Sequence, residues 1–373
     1  MPHQVIEQGD GLKVSVLGAA GGIGQSLSLL LKTQLQFLLR GADCDSKRLS
    51  LALFDVNKEA IDGVATDLSH IDTPVEVSAH SPQSGDSAGI GSCLENADVV
   101  IIPAGMPRKP GMTRDDLFNI NAKIVAQLTD SIAEHCDLRK VFVLVISNPV
   151  NALVPVMHHR LRTKHQGRVR GTGIERRVFG VTKLDIVRAS TFLREVVNKD
   201  STNTMPFVPV IGGHSGETII PLFSQNELSE QLTKEQRDFL VNRVQYGGDE
   251  VVKAKNGKGS ATLSMAHAAF KCAQDFINVI LGNTKEINTI NFGSLLDFEG
   301  RPIAHGAEKL LNAVDNCSFF AVPMTVTREG VQSVDYTIVS RMDAAEKNEM
   351  LPLCVSKLKK NVANGETFAV QLV

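Results

Sequence analysis

A chain of 373 residues exceeds what one hydrophobic core usually organises, so two domains are expected. A hydrophobic fraction of 43% with 21% charged residues describes a globular protein, and a net charge of −2 gives no global field favouring nucleic acid or an anionic membrane surface. No run approaches the ~18 apolar residues of a bilayer span. The six cysteines, at 44, 93, 136, 272, 317 and 354, form no C-x-x-C pair, so neither a zinc site nor a redox dithiol is expected, and no metal is assigned. They read as reduced, half-buried thiols. Neither a leader at the start nor a peroxisomal ending is recognisable, which leaves the cytosol as the default expectation.

Residues 12–17 read as a strand running into Gly18-Ala19-Ala20-Gly21-Gly22-Ile23-Gly24, with helical character from Gln25 onward. Strand, glycine turn and helix form the context of a dinucleotide fingerprint. One glycine makes the turn, one lets backbone amides reach a pyrophosphate, and one lets helix meet strand. A plain strand–helix turn is the alternative. A second strand, 49–54, ends at Asp55, whose carboxylate suits the ribose hydroxyls and repels a 2′-phosphate, favouring NAD over NADP. Its alternative role is a helix N-cap. The span from 35 to 48 is long for such a unit.

A helix at 60–68, a strand at 75–77 and a loop at 85–91 follow. Val99-Val100-Ile101-Ile102 then reads as a buried strand, and 115–136 as a helix. Between them lies a Pro/Gly-framed loop carrying Arg108 and Arg114, six residues apart. Guanidinium groups suit planar capture of carboxylates, so this loop reads as the part that selects and closes over a small dianionic acid. A basic loop near a phosphate is the other reading. Strand 141–146 ends at Ser147-Asn148-Pro149-Val150-Asn151, where Asn151 reads as a helix-start residue. Apolar strands alternating with helices imply a parallel sheet covered on both faces, with functional groups at the strand exits.

Beyond about residue 173 the pattern changes. A long amphipathic helix is expected from Val178, with Asp185 and Arg188 three apart on one face. Residues 207–211 read as a strand, followed by Gly212-Gly213-His214-Ser215-Gly216, which puts an imidazole on a tight, approachable turn. Helices at 229–253 and 259–280, short strands at 319–322 and near 334–338, and a closing helix at 343–362 complete the chain.

These stretches closely resemble the malate dehydrogenases of the mitochondrial and bacterial type, within the lactate/malate dehydrogenase family. The matching pieces are GAAGGIGQ (18–25), DLSHI (67–71), IPAGMPRKPGMTRDDLFNINAKIV (102–125), VISNPVN (145–151), FGVTKLDIVRA (179–189), VPVIGGHSGETIIP (208–221) and GSATLSMA (259–266). The resemblance implies an α/β fold: a Rossmann-type doubly wound parallel sheet over 12–172 and an α+β substrate domain over 173–373, with an apparent insertion at 284–312. It implies reversible oxidation of malate to oxaloacetate with NAD. His214 would be the acid/base and Asp185 its partner. Arg188 and Arg108 would hold the two carboxylates, Arg114 would polarise the carbonyl, and Asn148 would hydrogen-bond near the substrate. Gly18 to Gly24, Asp55, Asn121, Ile146, Ser147, Asn148 and Met265 would line the cofactor, although Met265 reads equally well as helix packing. A homodimer is the expected assembly. Three departures stand out: Glu217 where the family often has lysine, His267 where tyrosine is common, and the apparent insertion. A dehydrogenase of another 2-hydroxy acid, or an inactive NAD-binding scaffold, are the competing readings.

Overall fold

The computed structural model describes residues 11–40, 47–82, 88–106, 114–197 and 204–372. The first half runs β1 (Gly11–Leu17), α1 (Gly22–Gln34), β2 (Arg48–Phe54), α2 (Lys58–Ser69), β3 (Glu76–His80), α3 (Ala88–Leu94), β4 (Val99–Ile102), α4 (Arg114–His135), β5 (Phe142–Val145), α5 (Val150–Lys164), the single turn α6 (Gln166–Val169) and β6 (Val178–Gly180). The second half runs α7 (Lys183–Val197), β7 (Val210–Gly212), β8 (Ile219–Pro221), α8 (Lys234–Ala254), α9 (Leu263–Ile280), β9 (Ile287–Ser294), α10 (Ala307–Ala313), β10 (Phe319–Thr327), β11 (Gly330–Val334), the turn α11 (Thr337–Ser340) and α12 (Leu351–Gln371).

Strands β3-β2-β1-β4-β5-β6 form a parallel array in doubly wound order. Every residue of β4 and β5 is buried, as a sheet covered on both faces demands. The array does not stop there. β9 joins β6 antiparallel, Gly180 opposite Phe292, and the same sheet continues through β10, β7 and β8, with β11 also on β10. Aromatic rings lock this seam: Phe276 of α9 lies 5.1 Å from both Phe142 and Phe179. The two expected halves therefore share one sheet and a continuous core.

Three expectations need correction. The stretch from Val178 is not helical at first: Val178–Gly180 is the last parallel strand, and the helix starts only at Lys183. Three buried residues are too short a run to show a strand's alternation. The expected boundary at 172–173 lies between α6 and that strand. Residues 88–94, expected as loop up to Gly91, form a helix whose glycines serve packing, since a Cβ on Gly89 would lie 2.1 Å from Ser81 O. The segment read as an insertion at 284–312 contains β9, a central strand, and most of α10; between them His305 bridges Ser333 of β11.

Candidate active site

The exits of β1, β2, β4 and β5 lie together at the carboxyl edge of the parallel array. Gly18 adopts φ +97°, and a Cβ there would lie 2.5 Å from Ala104 Cα, so only glycine lets the β1 exit pass the β4 exit. A Cβ on Gly24 would lie 2.3 Å from Gly18 O, so α1 can close on the turn only without one. Gly21 is the N-cap of α1 and supplies no side-chain acceptor to its first turn. Those first-turn amides, with the helix dipole behind them, suit an anionic pyrophosphate.

Asp55 follows β2. Its Oδ2 accepts from Ala20 N at 3.0 Å and its Oδ1 from Asn57 N at 3.1 Å. It is not the cap of α2; Asn57 is, accepting from Ala60 N at 3.1 Å. The carboxylate thus sits against the glycine turn at the place where the ribose of a dinucleotide would lie. Asn121, buried in α4, accepts from Met106 N at 2.8 Å and donates to Asn148 O at 2.8 Å, tying the β4 exit to the β5 exit. Ile146 and Ser147 are buried beneath that link, with Ser147 Oγ donating to Ile102 O at 3.1 Å and also to Ala104 O. The Asn148 side chain is exposed at the same edge. Met265 is buried in the first turn of α9 as part of the hydrophobic core.

The β7 exit carries the histidine. His214 Nδ1 donates to Asp185 Oδ2 at 2.6 Å, with the carboxylate fully buried and the ring 10% exposed. This leaves Nε2 as the ring nitrogen that faces a reactant. Arg188, one turn further along α7, places Nη1 3.9 Å from Asp185 Oδ1, an oxygen that is buried and has no hydrogen-bond partner among the described residues. Burial pulls the Arg188 guanidinium below its ordinary range, with Asp185 and Glu250 acting against that. A buried cation sharing its carboxylate with a histidine suits a second anion. Arg188 also packs against Gly247 of α8, where a Cβ would lie 3.1 Å from Arg188 Cδ.

The two groups are physically joined. Asn151, at the second position of α5 and 1% exposed, accepts from His214 N at 2.8 Å. Its Nδ2 faces Ser215 Oγ at 3.0 Å and Thr218 Oγ1 and Asn361 Oδ1 at 3.1 Å. A line therefore runs from the glycine turn through Ala104, Asn121 and Asn148 to Asn151, His214, Asp185 and Arg188. Apart from Asp185 Oδ1, the buried polar groups along this line are hydrogen-bonded, which favours one geometry.

Residues 12–171 match the model of the lactate/malate dehydrogenase NAD binding domain, and residues 182–369 that of the lactate/malate dehydrogenase alpha/beta C-terminal domain. The chain belongs to the lactate/malate dehydrogenase family. It is 61% identical over 376 aligned residues to the cytoplasmic malate dehydrogenase of Saccharomyces cerevisiae, covering 99% of this chain and 98% of that one. The mitochondrial malate dehydrogenase of the same yeast is 43% identical, covering 95% and 93%. The apo malate dehydrogenase of Picrophilus torridus shares the fold, with a TM-score of 0.75 at 21% identity over 97% of this chain and 99% of that one. The chain is accordingly an NAD-binding oxidoreductase of this family.

Within that family frame, the structure brings together His214, Asp185 and Arg188, and separately the glycine turn with Asp55. Arg108 lies outside the described residues. Of Arg114 only the backbone, as the first residue of α4, is described. Glu217 does not leave a bare negative charge: it pairs with Lys357 at 2.9 Å, and hydrogen bonds from Lys357 and Tyr246 help hold its carboxyl below the usual range. His267 is exposed on α9. Sequence reasoning missed Asn151 as a site residue, although it stands inside the matched VISNPVN piece. It also missed Gly247 and Asn361, for which the sequence carries no local signal.

Proposed function

We propose that the protein is an NAD-dependent malate dehydrogenase that interconverts malate and oxaloacetate, with His214 as acid/base. The carrying observation is the 2.6 Å bond from His214 Nδ1 to buried Asp185, with Arg188 one turn away on the same helix. NAD fits the residues present: Gly18 and Gly24 let the β1 turn and α1 close tightly, and Gly21 caps α1 with no side-chain hydrogen bond, which leaves its first-turn amides to a pyrophosphate. When bound, NAD supplies the hydride acceptor and NADH the donor.

This chain's own residues do the rest. Asp185 holds the imidazole in the tautomer that presents Nε2 and stabilises the imidazolium. Nε2 takes the hydroxyl proton of malate as the hydride leaves the same carbon, and returns it to the carbonyl oxygen in reverse. Arg188 binds the carboxylate beside that carbon. Asn151 is a positioning residue: it grips the backbone of His214 and so sets where Nε2 sits. Arg108 is assigned to the distal carboxylate, Arg114 to the carbonyl oxygen on loop closure, and Asn148 to the substrate near the nicotinamide. Gly18 to Gly24, Asp55, Asn121, Ile146, Ser147 and Met265 are assigned to the cofactor. We also take residues 12–172 and 173–373 as the functional halves and a homodimer as the assembly. The likeness to the cytoplasmic yeast relative supports a cytoplasmic location.

Loss of NADH absorbance on adding oxaloacetate or pyruvate tests this reading. Arg108→Gln is expected to lower kcat/KM for oxaloacetate on the order of 10²-fold or more, because an arginine–carboxylate pair has no neutral substitute. A wild-type preference for pyruvate, or an unchanged kcat/KM in the variant, would overturn the assignment of that arginine.

A further inference from the structure

Helix α12 has two opposite faces with different neighbours. At about 100° per residue, positions 354, 357, 361, 365 and 368 fall on one stripe. This stripe holds the histidine loop and its surroundings. Cys354 Sγ donates to Thr218 O at 3.2 Å, Lys357 pairs with Glu217 at 2.9 Å, and Asn361 Oδ1 accepts from Asn151 at 3.1 Å. Gly365 lets α12 reach Ala152 O, since a Cβ would lie 2.2 Å from it, and Phe368 meets the Phe118 ring of α4 at 5.2 Å.

The opposite stripe, at 352, 355, 356, 359 and 360, lines a cavity of about 900 Å³ bordered by α10, α11 and the turn before α12. That size falls within the ~300–1,000 Å³ of small-molecule sites. Its floor is apolar, built on Val314, Val339, Leu351 and Val355. Its border carries four lysines, Lys309, Lys347, Lys359 and Lys360, against one carboxylate, Asp315, in a chain whose net charge is −2. Lys359 is paired with Asp315 at 2.7 Å, and Lys309 lies 4.7 Å over the ring of Tyr336 and donates to its hydroxyl at 3.0 Å. Lys347 and Lys360 form no ion pair among the described residues. Flexible ammonium groups around an apolar floor suit several anionic groups carried on a compact carbon frame.

We infer that this cavity binds a small organic polyanion, bearing phosphate or carboxylate groups, and that its occupancy is felt at the His214 loop through α12. The helix is a rigid element with the proposed ligand on one side and the grip on Asn151, Glu217 and Thr218 on the other. Any coupling between the two sites acts in both directions.

Isothermal titration of benzene-1,3,5-tricarboxylate into the NADH-bound protein at low ionic strength tests the binding half, whatever substrate the enzyme turns over. One site per chain is expected, with affinity that falls as salt is added. The double variant Lys347→Ala, Lys360→Ala removes two exposed, unpaired side chains and should leave the rate without probe unchanged. It is expected to weaken binding about tenfold or more, since two charge contacts are lost. No measurable heat in the wild type, or the same affinity in the double variant, would overturn the site. Inorganic tripolyphosphate binding as tightly would overturn the organic part of the assignment. For the coupling half, kcat/KM for oxaloacetate should shift along the same probe titration in the wild type and stay flat in the double variant. A flat response in the wild type, or equal shifts in both, would refute it.

Discussion

Replacing Asn151 by alanine separates positioning from chemistry. The amide accepts from His214 N at 2.8 Å and offers Nδ2 to Ser215, Thr218 and Asn361. Ser215 and Thr218 keep bonds to each other, with Ser215 N donating to Thr218 Oγ1 at 3.0 Å and Thr218 Oγ1 to Ser215 O at 2.8 Å. The His214 N–H has no such reserve. A stranded buried donor costs about 1–3 kcal/mol and the remaining bonds about 1 kcal/mol net, so a loss of about 2–4 kcal/mol is expected. The amide also packs against Gly213, whose Cβ position lies 2.8 Å from both Asn151 Nδ2 and Oδ1, so truncation opens space for the histidine turn to shift. A displacement of about 1 Å at a reacting group lowers turnover on the order of 10²-fold. Arg188 stands on another element, so KM for oxaloacetate should move far less than kcat. The chain has no tryptophan, so thermal unfolding is best followed by circular dichroism, alongside steady-state rates. A drop in Tm on the order of 5 °C is expected. An alanine variant with kcat within about twofold of wild type, or with a rise in KM matching its fall in kcat, would refute the reasoning.

Gly247→Ala should raise KM for oxaloacetate severalfold without lowering Tm. The new Cβ meets Arg188 Cδ at 3.1 Å and Nε at 3.2 Å, while alanine is the better helix former by about 1 kcal/mol. An unchanged KM would mean that Arg188 does not meet substrate from its present position. Burial alone would raise the Asp130 carboxyl, but hydrogen bonds from Arg160, Lys164 and His165 overcome it and hold the group far below its ordinary range. Its stabilisation is then fully present above the unfolded value of ~3.9 and is lost as pH falls below that. The Tm gap between wild type and Asp130→Asn, corresponding to about 2–3 kcal/mol, should be constant from pH 8 to 5 and narrow below about pH 4; a gap that widens in acid contradicts this. Burial pushes the Cys93, Cys136 and Cys272 thiols up to about 12 and Cys317 to about 11, and raises Cys354 too. These five should resist a thiol-reactive disulfide reagent at pH 8 until the protein unfolds, so rapid labelling of any of them in the native state would contradict their burial.

Much of the cofactor side was legible in the sequence because its demands are local. Gly18 and Gly24 are required by contacts within a few residues of the turn or with the neighbouring strand exit, and the turn is flanked by a periodic strand and helix. His214 stood out for a similar reason, set in a run of glycines. β9 was illegible because its sequence, INTINFGS, interrupts the apolar pattern with polar residues. Asn288 is exposed, but Thr289 and Asn291 are buried and satisfied within the fold: Asn291 donates to Thr289 Oγ1 at 3.0 Å, and Thr289 Oγ1 lies 3.4 Å from Asp275 Oδ2 of α9. A partner on another element helps turn a polar strand into a core strand, and spacing alone does not show that Asp275 and Thr289 meet. Five cysteines read as half-buried, Cys93, Cys136, Cys272, Cys317 and Cys354, are buried; Cys44 lies outside the described residues.

By itself, the sequence determined the dinucleotide turn, the order of the parallel strands' apolar runs, and the residue types that hydride and proton transfer need. These follow from backbone sterics, side-chain period and ionisation, which act over a few residues. Only the tertiary structure decided that Asn151 reaches His214 across 63 residues and Asn361 across 210, that Lys357 answers Glu217, and that one sheet carries both halves. Hydrogen bonds and charge pairs between distant segments are set by how the elements pack.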